Sequence, residues 1–152
     1  AGVSRTTLYR NFADRTALIG ALLWHIVDRL DEKSRRLQAS EGDGALFEFL
    51  RLWAREAVLT VPVTDYWRSL PQDNPLVQDL RERLLGVIEP LLSRAVQAGL
   101  CRADQQPADL LLIVGMFSAA RRGQTPQERL ALSDRAWLLI TEGLRPAAQE
   151  AR

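Results

Sequence analysis

Apolar residues recur every three or four positions along most of the chain, and this spacing most constrains the fold. The clearest example is the series Leu18, Leu22, Ile26 and Leu30, which places one apolar stripe along a helix. No segment alternates β-branched and polar residues in the way that a half-buried strand does. A chain of 152 residues, 47% of them hydrophobic, is long enough to bury one sizeable core. The sequence therefore predicts an all-α fold.

Glycine and proline residues divide this pattern into separate helices. The predicted helices run from Asp14 to about Ser40, then over residues 45–60, 64–70, 75–98, 107–122 and 126–143. Pro62 should end the second of them, and Pro90 should kink the fourth or split it in two. Gly99 has the position of a helix C-cap.

The first residues of the chain have the pattern of the turn and second helix of a helix-turn-helix. Gly2 suits the tight turn, because positive φ costs little without a Cβ, and Ser4 is a good N-cap. Val3, Leu8 and Phe12 supply the apolar side of the short helix. Its polar face holds the candidate DNA-contacting residues Arg5, Thr6, Thr7, Tyr9, Arg10 and Asn11.

The run from Gly2 to Phe12, followed at once by Ala13 to Leu18, resembles the TetR (tetracycline repressor) family of bacterial transcription regulators. In that family a first helix and most of a second precede this motif. The resemblance therefore implies a truncated helix-turn-helix remnant, followed by a helical ligand-binding and dimerisation core. Residues 1–13 would be the C-terminal part of the DNA-binding domain, and residues 14–152 the effector-binding and dimerisation domain.

The same resemblance implies how this region would contact operator DNA. Arg5 and Thr6 would reach base edges, and the rest of the polar face would meet phosphates or bases. Arg15 stands in for a lysine that touches the DNA backbone. The charge distribution agrees with this assignment. The net charge of the chain is only +1, but its first fifteen residues carry three positive charges, on Arg5, Arg10 and Arg15, and one negative charge, on Asp14. Such local positive charge is the main source of DNA affinity.

Aromatic residues in the middle of the chain predict a ligand site. Regulators of this class resemble one another in holding a small-molecule pocket among these helices, which here implies a small apolar or aromatic effector. Phe49, Trp53 and Trp67 are the candidate lining residues, and His25, the only histidine, could hydrogen-bond the effector or titrate. The alternative, that all four are ordinary core or interdomain residues, stays open.

The last two helices are apolar almost all round, over Leu110 to Phe117 and Trp137 to Ile140. A helix of this kind must be buried on every side, and a second subunit is the natural cover. In the TetR family these helices form a four-helix bundle with their symmetry mates. The resemblance thus implies a homodimer through Leu112, Met116, Phe117, Trp137 and Ile140. The alternative places both helices in the core of one subunit.

Other classes of function lack the residues that they need. Asp28, Asp31 and Glu32 are most simply a solvated helix face, and the chain has no phosphate-binding loop, nucleophile elbow or Cys-x-x-Cys motif. One histidine and one cysteine, Cys101, argue against a metal site. We therefore expect no enzymatic activity and no cofactor. The single cysteine and the lack of a visible signal peptide or membrane span predict a cytoplasmic protein.

The sequence as a whole predicts a one-component bacterial transcriptional repressor, whose operator binding is controlled by a small molecule in the helical core. Two alternatives come from other classes. One is a helical dimerisation or adaptor module without DNA binding, and the other is a small all-α enzyme.

Overall fold

A computed structural model of the chain describes residues 15–40 and 42–144. The helices follow in chain order as α1 (Arg15–Gln38), α2 (Ala45–Leu59), α3 (Val61–Ser69), α4 (Pro75–Gln97), α5 (Pro107–Met116), a 3-10 helix (Phe117–Arg122) and α6 (Pro126–Leu144). Within these ranges there is no strand, so the all-α prediction is confirmed. The predicted recognition helix, with Arg5 to Asn11, lies outside the described residues, as does the side chain of Arg15.

Local capping chemistry explains several helix ends. Asn74 precedes α4, and its side-chain oxygen accepts a hydrogen bond from the Leu76 backbone N–H at 2.9 Å. Gly99 follows the end of α4 with φ of 68°, which confirms it as the capping glycine. Pro62 was expected only to end a helix, but it lies in the first turn of α3, where a missing N–H costs nothing.

Two predicted helices differ from the structure. Pro90 does not split α4, which continues from Pro75 to Gln97, because the buried side chains of Ile88 and Leu91 hold both sides of the proline in the core. The helix predicted over 107–122 instead tightens into the 3-10 helix after Met116. Gly123 ends that segment in a crowded place, since a Cβ there would lie 2.6 Å from the backbone nitrogen of Arg129.

Helix α2 occupies the centre of the fold. It contacts every other helix that the structure describes, while α1 and α4 pack along each other. Leu46, Phe49 and Leu50 of α2 are wholly buried, as an apolar face surrounded by helices requires. The cavity described below lies around this central helix.

An ion-pair cluster around the buried Asp31 joins α1 to α4. The Asp31 carboxylate accepts hydrogen bonds from Arg35 of its own helix and from Arg83 of α4. The Arg35 hydrogen bond and the positive charge of Arg83 hold the pKa of Asp31 below its ordinary value. The Ser34 hydroxyl also donates to the Val87 carbonyl at 3.0 Å. Asp31 is therefore a structural link between helices and not part of a solvated face.

Candidate ligand cavity

A cavity of about 630 Å³ lies among α1 to α5 and the 3-10 helix. This volume is within the range of small-molecule sites in proteins. Its wall is mainly apolar and draws on every one of these elements; six of its members are Val27, Leu30, Trp53, Trp67, Leu80 and Val114.

Helix α1 faces the cavity with a stripe slightly rotated from the predicted one. Leu23, Val27 and Leu30 are buried and line the wall. Leu22, which the spacing placed on the buried stripe, is exposed. Ile26 lies at the edge of the stripe and also reaches the cavity. The helix that directly follows the predicted helix-turn-helix motif in the sequence therefore forms one side of the cavity.

Two threonines contribute polar atoms to the wall. The Thr60 hydroxyl donates to the Glu56 carbonyl at 2.9 Å, and the Thr64 hydroxyl lies 3.2 Å from the Ala57 carbonyl. Because their protons are used by backbone carbonyls, these hydroxyls present oxygen lone pairs to a ligand.

One acidic side chain, Glu56, lines the cavity and is already paired. Its carboxylate lies 3.0 Å from the guanidinium of Arg29 and 2.8 Å from the ammonium of Lys33, both on α1. These two bonds tie α1 to α2 and balance the charge of the only carboxylate in the described wall.

Three arginines complete the wall: Arg68 in the last turn of α3, Arg81 on α4 and Arg121 on the 3-10 helix. Arg121 forms an ion pair with Asp65 of α3. Arg68 and Arg81 are exposed, and neither has an ion-pair partner among the described residues. The cavity thus combines an apolar interior with positive charge at its solvent-facing side.

Two of the four predicted ligand residues lie at the cavity, and two do not. Trp53 and Trp67 line it. Phe49 is wholly buried behind the wall, with its ring centroid 5.8 Å from that of Trp53, so it supports the wall without lining it. His25 is exposed and away from the cavity, because it lies two residues beyond Leu23 and roughly 200° around the helix.

The sequence reasoning missed the arginines of the wall. Arginine on an amphipathic helix ordinarily marks the solvent side. The available signal was the position of Arg81, which interrupts the apolar face formed by Val77, Leu80 and Leu84.

Comparison with known proteins identifies the family. A TetR-family model, described as the C-terminal domain of SbtR-like transcriptional regulators, matches residues 41–146. The chain belongs to the TetR family. The crystal structure of the TetR transcriptional regulator SCO0520 from Streptomyces coelicolor is similar to this TetR-family chain, with a TM-score of 0.72 and 29% sequence identity. That match covers 97% of this chain and 83% of the Streptomyces protein. No curated protein matches this chain.

The predicted dimer residues of this TetR-family chain differ from one another in how far they are buried within the subunit. Leu112 and Met116 of α5 are more than half exposed, whereas Trp137 and Ile140 of α6 are partly buried. Phe117 is wholly buried inside the subunit, and its ring stacks on that of Trp137 with centroids 6.2 Å apart. Phe117 is therefore a core residue and not a surface group.

Further apolar side chains of α6 are exposed instead. Leu138 and Leu139 are more than half exposed, and Leu132 is exposed to a lesser extent. We call Leu112, Met116, Leu132, Leu138 and Leu139 together the α5/α6 apolar surface.

In the part of the chain that the structure describes, no helix combines the length and the apolar character that a membrane span needs. Across residues 15–40 and 42–144, histidine, cysteine and carboxylate side chains form no group of three that could hold a metal ion.

Proposed function

We propose that this TetR-family chain is a one-component transcriptional repressor, in which a small molecule in the cavity controls operator binding. The observation that carries the proposal is the position of α1. It follows the predicted helix-turn-helix motif directly in the sequence, and its Leu23, Val27 and Leu30 form one side of the cavity. A ligand in the cavity therefore touches the helix that leads to the DNA-binding residues.

The control mechanism is a two-state balance. A ligand can shift α1 between two positions only by as much as it binds one of them more tightly. Two ion pairs hold α1 in place against such a shift, because Glu56 of α2 pairs with Arg29 of α1 and Asp31 of α1 pairs with Arg83 of α4. A displacement of α1 would then change the spacing of the two recognition helices in a dimer.

The homodimer is part of the proposal. A two-fold DNA reader needs two half-sites about one helical turn apart, and hence two copies of the recognition helix. The α5/α6 apolar surface supports it, because exposed large apolar groups on α5 and α6 favour burial against another subunit. The second copy would cover Leu112 and Met116 of α5 together with Leu138 and Leu139 of α6.

At the DNA, we assign base contacts to Arg5 and Thr6. Thr7, Tyr9, Arg10, Asn11 and Arg15 would meet phosphates or further bases. Guanidinium groups suit both guanine edges and phosphates, and hydroxyls suit phosphates.

The test is an electrophoretic mobility shift with the protein expressed from its complete natural gene, on the promoter beside that gene. Arg5→Ala should reduce discrimination against unrelated DNA by roughly 1–3 kcal/mol. Arg15→Ala should weaken binding to all sequences alike. Arg36→Ala is the matched control, because Arg36 is an exposed arginine paired with Glu32 on α1. Absence of sequence-specific binding would favour the adaptor module without DNA binding.

A further inference from the structure

The charges around the ligand cavity are one-sided. Arg68 on α3 and Arg81 on α4 both line the wall. Within the described residues no carboxylate lies within ion-pairing distance of either guanidinium. An arginine that lines a cavity without an acidic partner has all its donors available to water or to a ligand.

The acid nearest to Arg68 along its helix does not neutralise it. Asp65 lies three residues earlier, at a spacing that permits a pair on one helix face. Its carboxylate instead pairs with Arg121 of the 3-10 helix, which also lines the cavity. Arg81 has no acid three or four residues away on α4, where Val77, Gln78, Leu84 and Leu85 occupy those positions.

The one acid of the described wall is neutralised from outside the cavity. Glu56 is almost buried, with 11% of its side chain exposed, and it contacts both Arg29 and Lys33. It therefore offers little attraction to a cationic ligand and little repulsion to an anionic one. The charge presented to a ligand is set by Arg68 and Arg81.

The rest of the cavity selects an apolar body. Trp53, Val27, Leu80, Leu84 and Val114 enclose its interior, and burial of apolar surface is the main driving force available there. A ligand suited to both parts has one polar end and one apolar end.

We infer that the effector is an amphipathic anion, with one acidic head group held by Arg68 and Arg81 and an apolar body inside the cavity. This inference rests on the proposed ligand site and adds the chemical class of its ligand. Planar guanidinium groups bind carboxylates and phosphates with two parallel hydrogen bonds, a geometry that neither an alcohol nor an amine can complete.

The test measures binding of three probes of equal chain length by calorimetry: decanoate, 1-decanol and decylamine. Decanoate should bind at least tenfold more tightly than the other two. The double variant Arg68→Gln/Arg81→Gln should weaken decanoate by roughly ten- to a hundredfold and leave 1-decanol unchanged, since charge-assisted hydrogen bonds are lost while the apolar wall is intact. Arg102→Gln is the control, because Arg102 is exposed, pairs with Asp104 and lies away from the cavity.

The outcomes separate the inference from the proposal beneath it. Equal binding of decanoate and 1-decanol, or a double variant that binds decanoate like the wild type, would overturn the inference and leave the cavity as a ligand site. Failure of all three probes to bind would overturn the inference and leave the mobility-shift assay to decide the proposed function. Unchanged thermal unfolding of the double variant checks that folding is intact, as expected for two exposed side chains.

Discussion

The homodimer gives the prediction that the structure can quantify best, through the substitution Leu138→Glu. Leu138 is 59% exposed and Leu139 is 64% exposed on α6, while Leu112 is 65% and Met116 is 55% exposed on α5. A dimer that buries these four side chains buries each of them twice, because a two-fold interface uses the same surface of both subunits.

The expected energy follows from these fractions. Full burial of a leucine or methionine side chain contributes about 1.5–3 kcal/mol, so a side chain that is still more than half exposed has roughly 1–2 kcal/mol to gain. Four such groups on each of two subunits contribute roughly 8–16 kcal/mol in total. The free-energy cost of association is about 4–15 kcal/mol, which leaves a small net stability. Leu138→Glu would bury one unpaired carboxylate in each subunit, which costs several kcal/mol and should remove the net stability of the dimer.

Sedimentation velocity at micromolar concentration measures the outcome. The wild type should sediment with twice the 17.1 kDa mass of one chain, and Leu138→Glu with the mass of one chain. Leu22→Glu is the matched control, since Leu22 is 41% exposed on α1 and does not belong to the α5/α6 apolar surface. A monomeric wild type, or a Leu138→Glu variant that stays dimeric, would refute this assignment of the interface.

Three further predictions concern stability and the cavity. Asp31→Asn should lower the free energy of unfolding by roughly 1–2 kcal/mol, because it breaks the partly exposed link to Arg83. The folded-state pKa of Asp31 is lowered, so its carboxylate stabilises the fold at pH values above the ordinary aspartate pKa. This stabilisation is lost as the pH falls through the folded-state pKa, and acid titration of the Asp31→Asn variant should lack the loss. Gly123→Ala should destabilise by roughly 1–3 kcal/mol in urea unfolding, since its Cβ would overlap the backbone of Arg129, and an unchanged midpoint would contradict that crowding. Val63→Trp should fill part of the cavity and weaken decanoate and 1-decanol alike by at least tenfold in calorimetry; unchanged affinities would place those ligands elsewhere.

Helix positions followed from the sequence, but the buried face of α1 did not. Glycine, proline and helical spacing are local signals, and they located the breaks at Gly44, Pro75 and Gly99. On α1, however, two adjacent leucines, Leu22 and Leu23, are both compatible with an apolar stripe. Helical periodicity alone cannot choose between them, and the packing of α2, α3 and α4 decides.

The burial of Phe117 depends on which face of α5 lies against the core, and the sequence does not announce that face. Helix α5 is apolar almost all round, and its buried residues are Leu110 and Val114. Phe117 lies seven residues after Leu110, which is about two helical turns, so it continues the buried face, whereas Met116 lies at the surface. A helix without a polar side does not show which of its apolar residues face the core.

The aromatic residues of the cavity wall could be predicted from the sequence, whereas its arginines could not. Trp53 and Trp67 were found because large aromatic side chains in the middle of a helical core mark a ligand site or a core. Arg68 and Arg81 lie on different helices, and only the tertiary arrangement of the helices brings both to one cavity. That juxtaposition is a long-range feature, which local spacing does not contain.

The central claim is that occupation of the cavity controls operator binding. Fluorescence anisotropy with a labelled promoter duplex, and the protein from its complete natural gene, measures this directly. The Kd for DNA is determined without ligand and with the tightest-binding ten-carbon probe at a concentration that calorimetry shows to fill the cavity. We predict a change in Kd of roughly 5–150-fold, the usual range of coupling between two sites. An unchanged Kd with the cavity filled would contradict the account.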